Sequence, residues 1–377
     1  MCRLFAITSE DPVSPMVALE ALDVMREGHD GSGVGLFLRD LGGPFETMKD
    51  APILSGIFTE EGLRRLDVKM MDKGFITKYK ISFKLDKTPP EGTPKRDVYL
   101  IRAYEYPEEW EDWSWERKQA ELTRIRLELR AMGEEKKDMI VFSFWPDVIM
   151  IKEIGDPLTV GRYLKLDSTQ DIRARIVMAQ GRQNTNYAIN LYACHPFFVQ
   201  GFSTMTNGEN TAFIPIREFL QNRGFEGYMG FQSDSEVFTH ILHYMHKDLD
   251  LGLEFYKHII TPLEGDALSA HPNQDLLTSL KQSCRRLIID GPNCVIGSLP
   301  DHTLFMVQDR KKLRPGVIGG RPGVYAFSSE ICGLDSAIPD RDKSKDFQPM
   351  YLDTAIVGPD RQEVQICRQT ERLHLPH

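Results

Sequence analysis

Apolar and polar positions alternate with a short period at the start of the chain and take up a helical period soon after. Residues 2–8 (CRLFAIT) are apolar and alternating enough for a first strand. Residues 15–26 place Met16, Leu19, Leu22, Val24 and Met25 at helical spacing. HDGSGVG then turns the chain, and Val34 to Leu38 predicts a second strand. The opening forty residues therefore predict strand, helix, glycine turn, strand.

Residues 70–150 have a different texture. KYKISFKLD and DVYLIRAYEY predict two strands joined by the turn-rich KTPPEGTPKR. The helix that follows puts Leu122, Ile125, Leu129 and Met132 on one face, and its many charges are expected to form the wet face. Trp110, Trp113 and Trp115 cluster at its start, where they either cap a small core or form a docking surface. This stretch is expected to be a small α+β insertion. From residue 174 onward, RIVMAQ predicts a strand, and SEVFTHILHYMHKDL and NQDLLTSLKQSCRRLI predict helices. CVIGSLP, HTLFMVQD and GVYAFSSE predict strands, with KKLRPGVIGGRPG as a turn between the last two. The tail beyond residue 336, rich in Asp, Pro and Lys, is expected to wrap the surface.

With 377 residues the chain is long enough for a substantial core. A net charge of −9 argues against holding nucleic acid or an anionic membrane by bulk electrostatics, so neither is an expected partner. No apolar run approaches the roughly 20 residues of a membrane span, and the start lacks the pattern of a signal peptide, so a cytoplasmic location is expected. The cysteines, Cys2, Cys194, Cys284, Cys294, Cys332 and Cys367, form no CxxC pair. That argues against a disulfide framework or a zinc ribbon, and most of them read as reduced and buried. His240, His243 and His246 are spaced HxxHxxH, but that spacing drifts around a helix. They read as half-exposed helix residues, and no metal is expected. GSGVG lacks the GxGxxG spacing and no GxxxxGK[ST] occurs, so neither a dinucleotide nor a P-loop is inferred.

Cys2 has the unusual address. If Met1 is removed, its thiol shares a residue with a free α-amine whose pKa lies near 8, so nucleophile and base come together. A buried strand cysteine is the alternative. Other short motifs follow in order: Asp30-Gly31-Ser32-Gly33, Arg182 with Thr185-Asn186 and Asn190, His195-Pro196-Phe197, Asn207-Gly208-Glu209, and Asp234 before a helix. DRKKLRPG (309–316) and SSE (328–330) come later. This ordered set resembles the class II glutamine amidotransferases, and within them the amidotransferase domain of glutamate synthase.

The resemblance covers residues 2–40 and 174–335. It implies an α+β, four-layer αββα sandwich of the N-terminal-nucleophile hydrolases over residues 2–335, interrupted by the 70–150 insertion and followed by an extension, 336–377. It implies glutamine as substrate, Cys2 as nucleophile, and Asn207 and Gly208 as the oxyanion hole. It also implies Arg182 on the substrate carboxylate and Asp234 on its ammonium. The chain departs from the family pattern in places. Gln180-Gly181-Arg182-Gln183 stands where His-[Ser/Thr]-Arg-[Phe/Tyr] is common, so the aromatic that would flank the substrate is absent at Gln183; Thr206 replaces the usual His before Asn-Gly-Glu, and Arg26 lies one place early.

Such a glutaminase feeds ammonia to a second site. No pyrophosphatase loop, phosphoribosyl-pyrophosphate loop or sugar-isomerase domain is recognisable in this sequence. The expectation is a separate subunit that serves a synthase subunit of a glutamate synthase-type complex. Flavin and iron–sulfur clusters would sit on that partner and no cofactor on this chain. A stand-alone γ-glutamyl amide hydrolase and a non-catalytic scaffold subunit are the alternatives.

Overall fold

A computed structural model describes residues 2–85, 96–183, 190–211, 213–224, 233–350 and 353–373. The chain begins with β1 (Arg3–Val13), α1 (Met16–Asp23), β2 (Val34–Leu41), β3 (Pro52–Phe58), α2 (Glu60–Asp72), β4 (Ile76–Lys84) and β5 (Val98–Glu105). Then come α3 (Trp115–Lys136), β6 (Met139–Pro146), β7 (Val148–Glu153), α4 (Pro157–Tyr163) and β8 (Ala174–Gly181). The next group is β9 (Phe197–Val199), β10 (Phe202–Gly208), α5 (Phe213–Gln221), α6 (Glu236–Lys247), α7 (Tyr256–Ile260), α8 (Gly265–Ser269) and α9 (Gln274–Ser283). The last is β11 (Asn293–Ser298), β12 (Leu304–Gln308), β13 (Val317–Arg321), β14 (Val324–Ser328), α10 (Ile331–Ala337), β15 (Asp353–Val357) and β16 (Gln365–Arg368).

Three antiparallel sheets result. The first runs β13-β14-β1-β8-β2-β7, the second β16-β15-β12-β11-β10-β9 and the third β4-β5-β3-β6. The first two stack, with β1 and β8 meeting β10. Outside the first sheet, α1 packs on β1 and β8 and against α4 and α10; outside the second, α6 lies on β9 and β10. The four-layer α+β expectation is therefore met. The burial pattern follows from the layering. Every residue of β2 and β7 is buried, because a sheet covered on both faces has no wet side. On α1 the face toward the sheet is Ala18, Leu19, Ala21 and Leu22, all fully buried; the two alanines let the helix sit close.

The third sheet uses β3 as well as strands from the 70–150 stretch, and α3 lies against β6. Leu122, Ile125 and Leu129 are fully buried under that helix. Trp110 is buried and stacks on Trp113 at 4.6 Å, so these two tryptophans belong to a core; Trp115 remains 43% exposed.

Four local expectations are corrected. Part of KKLRPGVIGGRPG is not a turn but β13, because Val317 and Ile318 bury against the sheet despite the flanking glycines and proline. The tail does not simply wrap the surface: β15 and β16 extend the second sheet. Arg126 and Arg130 are not on a wet face but buried, at 8% and 7% exposure. His240 and His243 are not half-exposed either: they are buried, bonded to Glu236 and Gln200, because α6 is covered by the second sheet and α3.

Candidate active site

Cys2 immediately precedes the central strand β1. Pairing of Arg3 with Gly181 sets it opposite Arg182 and Gln183. The Gln183 N–H donates to its Sγ at 3.4 Å. The start of β1 is pinned by the SSE motif. Ser329 Oγ accepts from Leu4 N at 2.9 Å, Ser329 N donates to Leu4 O at 2.9 Å, and Glu330 pairs with Arg3 at 2.5 Å. Burial pushes the Cys2 thiol up from its usual range, while the Gln183 N–H and the Arg182 charge pull the other way. The group is therefore a thiol at neutral pH and needs a base to become a nucleophile.

Arg182 is 7% exposed and zipped to the Asp30–Gly33 loop. Its N–H donates to Gly33 O at 2.8 Å and its carbonyl accepts from Asp30 N at 3.3 Å and Ser32 Oγ at 3.4 Å. Asp30 Oδ1 closes the loop on Ser32 N at 3.0 Å. Gly33 has φ +151° and a Cβ there would lie 2.5 Å from Cys194 Sγ, so only glycine fits. The Arg182 guanidinium interacts with Cys194 and adds positive charge beside His195.

Asn207 and Gly208 end β10. Gly208 pairs with Asn293, and a Cβ at 208 would strike Pro292 O. The DRKKLRPG motif braces this corner: Asp309 accepts the backbone N–H groups of Asn293, Lys311 and Leu313 at 3.0, 2.8 and 3.2 Å. Thr206 N donates to His195 Nδ1 at 2.9 Å, so that nitrogen carries a lone pair. Burial, with the charges of Arg182 and Lys152, holds this imidazole neutral, far below its ordinary pKa. Gln180 Nε2 donates to Thr206 O at 2.8 Å and ties β8 to β10. The strand leading to Arg182 is thus fastened to the strand leading to Asn207.

Around this tie, buried polar atoms are left over. Asn207 is 2% exposed, and its Nδ2 has no hydrogen-bond partner among the described residues. The same holds for Gln180 Oε1 and Thr206 Oγ1. Unpaired buried polar atoms call for a reason, and a bound polar group is one.

Asp234 lies at the turn that follows β10. Its Oδ2 accepts from Asn210 N at 2.6 Å and its Oδ1 from Ser233 and Ser235 at 3.4 Å. It anchors the turn after Asn207-Gly208-Glu209, and burial pushes its carboxyl up. Ser235 is the N-cap of α6, and Glu236 turns inward to His240. Asn190 caps a short turn through Tyr192 N at 2.8 Å, and Thr185-Asn186 lie outside the described residues.

The sequence reading missed Lys152. It is buried on β7, donates to Cys194 O at 2.5 Å, and burial pulls its amine down to about 8. A lysine inside the apolar run VIMIKE was the available signal.

No family model matches the chain. A protein of Archaeoglobus fulgidus, described as an uncharacterized protein, is 22% identical over 379 residues, covering 99% of this chain and 96% of that one. Among solved structures, the glutamine phosphoribosylpyrophosphate amidotransferase of B. subtilis aligns over 99% of this chain with 11% identity and a TM-score of 0.47. A structure described as the allosteric regulatory enzyme of purine biosynthesis aligns over 99% at 12% identity and 0.48. This chain spans 50% of the length of each. A glutamine aminotransferase class-II domain protein of Silicibacter pomeroyi aligns over 97% of this chain and 99% of its own, at 11% identity and 0.36.

Proposed function

We propose that the chain is a class II glutamine amidotransferase that hydrolyses glutamine to glutamate through a thioester on Cys2. The observation that carries the reading is the buried Asn207 amide with no partner in the same braced corner as the Gln180–Thr206 tie, on the side of the sandwich where Cys2 meets Arg182. Removal of Met1 gives Cys2 an α-amine with a pKa near 8, the base that its burial-raised thiol requires. The amine takes the thiol proton as Sγ bonds to the γ-carbonyl carbon. Asn207 Nδ2 and the Gly208 N–H stabilise the oxyanion. The C–N bond then breaks, the proton passes to the leaving nitrogen, and ammonia departs. Water attacks the thioester, releases glutamate and restores the thiol. Arg182 takes the substrate carboxylate with its planar fork, and Asp234 takes the ammonium. The ammonia goes to a synthase subunit on another chain, of the glutamate synthase type, which carries flavin and iron–sulfur clusters.

Intact mass and glutaminase activity on one sample, beside Cys2→Ala, test this. The expected result is loss of Met1 and glutamate formation only with Cys2 present. A processed Cys2 with no glutamine turnover, alone or with lysate, overturns it. Co-purification of a large flavoprotein tests the synthase assignment separately.

A further inference from the structure

A cavity of about 30 Å³ lies where α3, β7 and α6 meet. Arg126 and Arg130, one turn apart on α3, face it together with Lys152 of β7 and Glu236 and His240 of α6, and all five are between 4% and 8% exposed. Arg130 pairs through Nε with Glu134 at 2.8 Å and lies over the Tyr192 ring at 4.4 Å. Glu236 stays ionised against its burial, because His240 bonds it at 3.2 Å and Arg130 and Lys152 add positive charge.

Arg126 and Lys152 are left with less. Among the described residues, Glu236 is the carboxylate that faces them, and neither closes an ion pair with it. The hydrogen bonds they make go to neutral carbonyls, Arg126 to Phe142 O at 3.5 Å and Lys152 to Cys194 O at 2.5 Å. Burial pulls Arg126 down to about 10 and Lys152 to about 8. Two cations therefore border a void without a full complement of negative charge, and buried charge persists only when it is paired.

We propose that this cavity binds a small monovalent anion of chloride size, held by Arg126 and Lys152. A water needs about 10–15 Å³ of such space, so the cavity takes one particle of that size, or two, and no ligand of many heavy atoms. Once bound, the anion also fixes Lys152 against Cys194 O, one residue before His195. This inference does not depend on the amidotransferase reading.

The test is thermal unfolding of the full chain, with chloride or bromide exchanged for gluconate at constant ionic strength, and anomalous diffraction from bromide-soaked crystals. A saturable rise in Tm with halide, absent with gluconate, is expected, together with a bromide peak within hydrogen-bond distance of Arg126 and Lys152. Arg126→Gln is expected to weaken halide affinity about tenfold, as losing one charge-assisted hydrogen bond does. No saturable halide effect, or bromide found only outside the cavity, overturns the proposal. If Arg126→Gln does not fold, diffraction from the unaltered chain decides.

Discussion

At the end of the sandwich where β9 turns into β10, Arg39 is 3% exposed and fully engaged. Its guanidinium donates to Ser298 Oγ at 3.2 Å and to the carbonyls of Leu299 and Gly201 at 2.5 Å. Nearby, Asp147 accepts from the backbone of Asp40 and Leu41 and from His302. Asp40 takes Lys49 and Arg361, which hold its carboxyl below the usual range against the upward push of burial. At the opposite end, where β10 finishes, Asn207 Nδ2, Gln180 Oε1 and Thr206 Oγ1 are equally buried and have no partner among the described residues. A cavity of about 560 Å³ lies at the Arg39 end, bordered by Trp115, Trp145, His302 and Tyr106, whose buried hydroxyl has no hydrogen-bond partner among the described residues. A cavity marks one end, and the unpartnered atoms around the Gln180–Thr206 tie mark the other. A saturated network is a clasp that specifies the fold; a cluster of unpartnered donors and acceptors beside a nucleophile is a place for a polar group to bind.

The comparison breaks first at Cys2. Cys2→Ala is expected to lower glutaminase turnover by about 10³-fold or more, with unfolding unchanged, since the side chain is a nucleophile and not a clasp. Next, Asn207→Ala is expected to cost about 10²–10³ in kcat, as losing one oxyanion donor does. Its Tm should barely move, because no internal hydrogen bond is lost. Parallel kinetics and thermal melts check both.

Arg39→Met should show the reverse. It strands three acceptors at once, so a stability loss of roughly 3–5 kcal/mol in urea is expected, with kcat of the folded fraction unchanged. A kcat loss without a stability loss would reverse the assignment of the two ends.

Lys257 sharpens the rule. Its Nζ is buried with no hydrogen-bond partner among the described residues, and burial pulls its amine down from the ordinary lysine range to about 8. The facing Asp309 already accepts three backbone N–H groups. A buried charge with no partner is a cost, so Lys257→Met is expected to stabilise the fold by about 1 kcal/mol at pH 7. Between pH 8 and 10.5 the unfolded chain binds more protons at this site than the folded one. Wild-type stability from this group therefore rises with pH, and the advantage of the Met variant shrinks over that window. Denaturant melts at pH 7 and pH 10 read the difference.

How far the sequence revealed this depends on the kind of feature. Strands with clear periodicity, such as β1, β2, β5 and β12, were legible because one residue pattern fixed their burial. β13 was not, since its glycines and neighbouring proline mimic a turn and only the pairing with β14 shows otherwise. The motifs DRKKLRPG and SSE were visible as words, but their work is bracing: Asp309 holds the Asn293 corner and Ser329 holds β1. Two of the departures from the family pattern, Gln180 and Thr206, prove to be hydrogen-bonded neighbours across the two sheets, a relation invisible at a separation of 26 positions. Arg126 was read as solvated because helical periodicity cannot show that α3 is covered by both β6 and the α6 side of the molecule.

The most direct measurement is mass spectrometry of the N-terminal peptide from protein quenched in acid during turnover with glutamine. A peptide beginning at Cys2 and carrying a glutamyl thioester on Sγ, absent without glutamine, is expected. A processed, unmodified Cys2 in a sample that is still releasing ammonia from glutamine would contradict the Cys2 mechanism.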